Sequence, residues 1–123
     1  MNKKILVVDD EPPIVELLKK RLTANHYQTV TAIGAHEGLR KAKEEKPDLI
    51  LLDIMMPEMD GQETLRQLKR ESETKDIPVI MLTVKTRKES IEKAILGGAA
   101  DYLVKPFQSA VLLERIGGIL KNA

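Results

Sequence analysis

Five residues, at the ends of four apolar runs in this sequence, could do chemistry together. They are Asp9 and Asp10 after the run KILVV, Asp53 after LILL, Thr83 after PVIML, and Lys105 after ADYLV. Three carboxylates brought close together repel, which raises pKa values and costs stability. A hard divalent cation removes that problem. A few oxygen ligands plus water suit Mg²⁺, which also accepts phosphate oxygens. With a lysine and a hydroxyl opposite, such a metal completes a cage for a phosphoryl group. The metal and Lys105 neutralise its oxygens and Thr83 donates a hydrogen bond. Asp53, central among them, is placed to be the nucleophile that becomes an acyl phosphate.

Taken singly, each residue has an ordinary reading. Asp10, two residues before Pro12, suits a helix cap, and Thr83 suits the cap of a later helix. Asp53 suits an Asx turn leading to Pro57 and Asp60-Gly61, and Lys105-Pro106 suits a plain turn. The joint reading needs a fold that gathers all of them at one edge.

The apolar patterning supplies that fold. KILVV (4–8), QTVTAI (28–33), DLILL (48–52), IPVIML (77–82) and ADYLV (100–104) read as strands. Three of them are apolar on nearly every residue, as strands buried on both faces must be. Helical stripes lie between and after them: Ile14, Leu17, Leu18 and Leu22; Leu39 and Ala42; Leu65 and Leu68; Ile91, Ala94 and Ile95; Leu112, Leu113, Ile116 and Leu120. Five strand–helix units imply a parallel sheet with right-handed crossovers and helices on both faces. Sites in such sheets form beyond the carboxyl ends of the strands, near the switch in strand order. All five chemical positions fall there.

Composition narrows the class. The chain of 123 residues is 42% hydrophobic and 32% charged, which fits one globular domain over residues 1–123. Twenty basic and nineteen acidic side chains leave a net charge of +1, no basis for binding nucleic acid or an anionic membrane. Tyr27, Tyr102 and Phe107 are too few for a base-stacking platform, and no apolar run reaches membrane-spanning length. The absence of cysteine removes disulfides and thiolate metal sites and fits a cytoplasmic location. His26 and His36 have no metal-ligand spacing and read as surface residues.

VVDDEP (7–12), LLDIMMPEMDG (51–61), Thr83 after PVIML, and GGAADYLVKPF (97–107) resemble the receiver domains of two-component response regulators, across the whole chain and in order. The resemblance implies a three-layer doubly wound (βα)5 fold with flavodoxin-like strand order 2-1-3-4-5. It implies that Asp53 takes phosphate from a histidine kinase or a histidine phosphotransfer protein. Asp9, Asp10, Asp53 and the backbone carbonyl of Met55 would hold Mg²⁺, for which Mn²⁺ can substitute. Thr83 and Lys105 would contact the phosphoryl group, with a cis bond between Lys105 and Pro106. Thr83 and Tyr102 would form the switch that alters the face of the fourth helix, fifth strand and fifth helix. Ile14, Val15 and Pro106 would meet the kinase. Such a protein catalyses only its own phosphorylation and dephosphorylation and acts on an output protein that the sequence does not identify.

Rival readings are an aspartyl-phosphate phosphatase, a binding module that works without phosphorylation, and the N-terminal part of a longer regulator. The phosphatase reading wants a second aspartate two residues after the nucleophile, where this chain has Met55. Receivers attached to winged-helix domains dimerise through charge pairs on the switch face. Asp101 and Arg115 match that pattern, whereas Ile91, Gly97, Val111 and Asn122 do not, so we expect a monomer or a weak phosphorylation-dependent dimer. Gly117-Gly118 should weaken the end of the last helix. Val84 follows the switch hydroxyl where relatives carry Ala or Gly, and neither Met55 nor Lys85 is a natural orienter of attacking water. We therefore expect a slowly self-hydrolysing phospho-form; loss of label from purified phosphoprotein within seconds in Mg²⁺ would contradict this.

Overall fold

The computed structural model describes residues 2–57, 59–83 and 88–121, apart from the side chains of 88–91. Val84 and Lys85, and the side chains of Lys88 and Ile91, therefore lie outside the described residues, as do Arg87 and Asn122. The elements alternate: β1 (Lys4–Val8), α1 (Pro12–Ala24), β2 (Gln28–Ala32), α2 (Ala35–Glu45), β3 (Leu49–Asp53), α3 (Gly61–Arg70), β4 (Val79–Thr83), α4 (Lys88–Leu96), β5 (Asp101–Val104) and α5 (Ser109–Lys121). All strand pairs are parallel, in the order β2-β1-β3-β4-β5.

The three inner strands are the apolar runs. Every residue of β3 and β4 is buried, as is all of β1 after Lys4. Successive side chains of a strand face opposite ways. Leu6, Val8, Ile50, Leu52, Val79 and Met81 therefore pack with residues of α2, α3 and α4. Ile5, Val7, Leu49, Leu51, Ile80 and Leu82 pack with Leu18 and Leu22 of α1 and Leu112, Ile116 and Leu120 of α5. Two cores share one sheet, which gives the three layers.

Strand ends differ from the sequence reading by one or two residues. β2 stops at Ala32 and leaves Ile33 exposed, while β3 and β4 each run one residue further, to Asp53 and Thr83. These two polar residues are thus the last rungs of inner strands. In α1, the buried residues are Val15, Leu18 and Leu22, and Leu17 is 48% exposed. Ile95 of α4 is likewise exposed, beside the buried Ala94.

Two glycine sites contrast. A Cβ on Gly61 would lie 2.6 Å from both the Asp53 carbonyl oxygen and the Ile54 Cα, so the chain after β3 can fold back this closely only over glycine. Its N–H donates to the Ile54 carbonyl at 2.7 Å. Gly117 and Gly118, by contrast, sit within continuous α5, and a Cβ there would meet nothing within 4 Å. Gly61→Ala should therefore cost roughly 1–3 kcal/mol through backbone overlap, while Gly118→Ala should gain about 1 kcal/mol of helix propensity. Urea unfolding of the two variants checks both signs.

Candidate functional site at the carboxyl edge of the sheet

The switch in strand order falls between β1, which pairs with both β2 and β3, and the strands that follow. Asp9 extends β1 by one residue, its N–H bonded to the Ala32 carbonyl at 3.2 Å, and is wholly buried. Its Oδ1 accepts the Glu11 N–H at 3.0 Å, turning the chain into α1. Pro stands in the first turn and the cap position belongs to Glu11, so the helix start does not use Asp10. That leaves Asp10 half-buried at the strand end, facing its neighbours.

Asp53 closes β3 and is 2% exposed. The Asx-turn reading holds in part, since its Oδ1 accepts the Met55 N–H at 3.4 Å. Carboxylate oxygens of Asp9, Asp10 and Asp53 all lie within 4.8 Å of one another. Thr83 ends β4, is 5% exposed, and stands opposite Val104 in the register with β5. Lys105 follows Val104, and its N–H donates to the Thr83 carbonyl. The Lys105–Pro106 peptide is cis. The Lys105 ammonium reaches back across the sheet, 3.0 Å from Asp9 Oδ2 and 3.4 Å from Asp53 Oδ1.

Comparison with known proteins places this geometry. The family model for the response regulator receiver domain matches residues 5–117. This chain belongs to that family. It is 45% identical to the alkaline phosphatase synthesis transcriptional regulatory protein PhoP of Bacillus subtilis, over 100% of this chain and 50% of that protein. To the phosphate regulon transcriptional regulatory protein PhoB of Escherichia coli it is 41% identical, over 99% of this chain and 53% of that one. The chain thus spans about half the length of these relatives. Among solved structures, chemotaxis protein CheY4 of Vibrio cholerae superposes with a TM-score of 0.92 at 33% identity, covering 97% of this chain and 99% of that one.

Electrostatics set the character of this receiver's edge. Burial, and then the Asp9 charge, push the Asp53 carboxyl up to about 6, while Lys105 and the Met55 N–H pull the other way. Burial works against the Lys105 ammonium too, but its bonds to Asp9 and Asp53 outweigh that and raise its pKa. One ammonium thus serves two buried carboxylates, with Asp10 beside them. This donor set fits a small divalent cation: three hard oxygens in one cluster, and a central aspartate, Asp53, with a raised pKa.

Next to Lys105 runs an apolar groove of about 470 Å³ between α1 and the chain after β5. Ile14, Leu17 and Leu18 form one wall and Pro106 and Phe107 the other. Val15, expected at a kinase-facing surface, is instead 2% exposed and packs inward. Leu17 takes the outward place, because α1 carries adjacent apolar residues on two faces and the buried one is the Val15–Leu18–Leu22 face. Tyr102 is half-buried against the α2–α4 core. Asp101 and Arg115, matched to a pattern of pairs between subunits, join within this chain at 2.8 Å. The sequence reading did not single out Gly61 or Phe107 for any role at the site. Asp60-Gly61 was visible as a turn, but the backbone contact with Asp53 was not.

The raised Asp53 pKa has a measurable consequence. Between its ordinary value of 3.8 and about 6, the folded chain binds more protons than the unfolded one. Its contribution to stability is therefore intact below about pH 4 and is lost as pH rises through 6. With metal chelated, Asp53→Asn should stabilise the protein at pH 7.5 by up to about 3 kcal/mol, and the gain should vanish towards pH 4. Denaturant titrations at the two pH values measure it. Adding Mg²⁺ should stabilise the unsubstituted chain and reduce the difference.

Proposed function

We propose that residues 1–123 form a receiver that takes a phosphoryl group from a phosphohistidine, on a kinase or a phosphotransfer protein, onto Asp53. The observation that carries this reading is the Asp9–Lys105–Asp53 cluster at the carboxyl edge of the sheet, with Asp10 beside it. An oxygen of the Asp53 carboxylate attacks phosphorus as the bond from phosphorus to the imidazole nitrogen breaks, and the imidazole leaves with that electron pair. At neutral pH a carboxyl with a pKa of about 6 is mostly ionised, so the nucleophile is ready. Asp9, Asp10, Asp53 and the Met55 carbonyl would hold Mg²⁺, or Mn²⁺ in its place. When bound, the metal neutralises charge on the transferring phosphoryl group. Lys105 exchanges a carboxylate for a phosphoryl oxygen, and Thr83, on the adjoining strand end, donates a hydrogen bond to another.

The donor helix docks in the groove of Ile14, Leu17, Leu18 and Pro106, whose end at Lys105 brings the phosphohistidine to the carboxylates. Loss of a Lys105–carboxylate bond and movement of Thr83 and Tyr102 then shift the α4–β5–α5 face between two states and change its affinity for an output protein. The receiver is a switch whose catalysis is confined to its own phosphorylation and dephosphorylation.

Intact mass after incubation with acetyl phosphate tests the chemistry. We expect gain of one phosphoryl group in Mg²⁺, and none with chelator or in Asp53→Asn. Gain in Asp53→Asn, or no gain under any condition, would reject the assignment. Leu17→Asp should slow transfer from a phosphorylated histidine phosphotransfer protein at least about tenfold more than it slows uptake from acetyl phosphate, a difference of roughly 1.4 kcal/mol.

A further inference from the structure

A second groove lies away from the carboxylates, between α3 and α4, with a volume of about 630 Å³. Its lining holds four cationic side chains, Arg66, Lys69, Arg70 and Lys93, and two carboxylates, Asp60 and Glu63. The chain as a whole is nearly neutral, so this is a local excess of positive charge. The cations differ in what holds them. Lys69 is committed to the fold: its ammonium donates to the Lys75 and Ile77 carbonyls at 3.0 and 2.8 Å. Glu63 contacts both neighbouring guanidiniums, Arg66 at 2.6 Å and Arg70 at 3.6 Å. One carboxylate thus steadies two arginines, which stay about two-thirds exposed (66% and 65%) and retain one net charge between them. A guanidinium has five N–H donors, so a single carboxylate leaves donors for a second anion. Exposed Lys93 lies on the opposite wall.

The α4 wall also carries Leu96, 87% exposed. A lone exposed leucine is unremarkable, but here it borders a steadied cationic groove. A bare polyanion would use the arginines and Lys93 and gain nothing from Leu96. An acidic peptide with one large apolar side chain would use both. The ten residues of α3 give a wall about 15 Å long, room for two to three turns of a partner helix.

We propose that the α3–α4 groove docks an acidic amphipathic segment of a partner protein, its carboxylates on Arg66, Arg70 and Lys93 and an apolar residue on Leu96. The surface shares no lining residue with the α1 groove. The test is selection of random dodecapeptides displayed on phage against the whole unphosphorylated chain. Winning peptides are then made synthetically and measured by fluorescence anisotropy. We expect enriched sequences with several Asp or Glu around a Leu, Ile or Phe, and backbone amide shifts confined to α3 and the end of α4. Arg70→Glu with Lys93→Glu should weaken their binding at least about tenfold, and Leu96→Ser several-fold, with weakening in added salt. Both variants change exposed positions, and circular dichroism checks that they fold. The proposal fails if no peptides are enriched, if the winners bind the charge-reversed variant as well as the parent, or if their shifts map elsewhere. It also fails if inorganic polyphosphate displaces them while Leu96→Ser changes nothing, which would make the groove a polyanion site.

Discussion

Among the described residues, one ammonium ties together the carboxyl edge of this receiver's sheet. Lys105 is attached to the end of β5, yet its charge is spent on Asp9 beyond β1 and Asp53 at the end of β3. Buried carboxylates without such a partner would be driven to protonate or would unfold the edge. Among the described residues the compensation is incomplete, since one positive charge faces two buried negatives and the half-buried Asp10. Everything else in the fold bears on this constraint. The largely apolar inner strands set the register in which the carboxylates stand, and the two helical layers cover both faces of the sheet.

Much of this was legible in the sequence, for a physical reason. Strands buried on both faces leave runs such as LILL and PVIML that no exposed element would carry, and a carboxylate or hydroxyl at the end of such a run stands out. The parallel sheet and the gathering of Asp9, Asp10, Asp53, Thr83 and Lys105 at one edge followed from that pattern, and the strand order from the family resemblance. What patterning could not resolve was orientation within α1. Ile14, Val15, Leu17 and Leu18 are all apolar, so a helical period accepts more than one buried stripe, and only packing against the sheet sends Val15 in and Leu17 out. Strand ends were blurred for a related reason: Asp53 and Thr83 are polar yet still hydrogen-bonded in the sheet, so hydropathy ends before the strand does.

Some interactions leave almost no periodic trace. Lys69 closes the segment between α3 and β4 through two backbone carbonyls, a role that depends on loop geometry and not on residue spacing. Gly61 is similar. Its lack of a side chain matters because the Asp53 carbonyl comes so near, and that approach belongs to the folded chain alone. The same contact ties the start of α3 to the end of β3, so any displacement of Asp53's backbone must be shared by α3.

The ion pair between Lys105 and Asp9 joins residues 96 positions apart. Those strands are not neighbours in the sheet; β3 and β4 stand between them. The pair can therefore form only after four strands have found their register, when nearly all the loop-closure entropy has already been spent. Asp9, Asp10 and Asp53 meet once β1 pairs with β3, whereas the compensating ammonium arrives only with β5. A chain in which β5 has not docked has the three carboxylates but not the ammonium that offsets them. The charge balance around Asp53 is thereby set only in molecules in which β1, β3, β4 and β5 have all found their places.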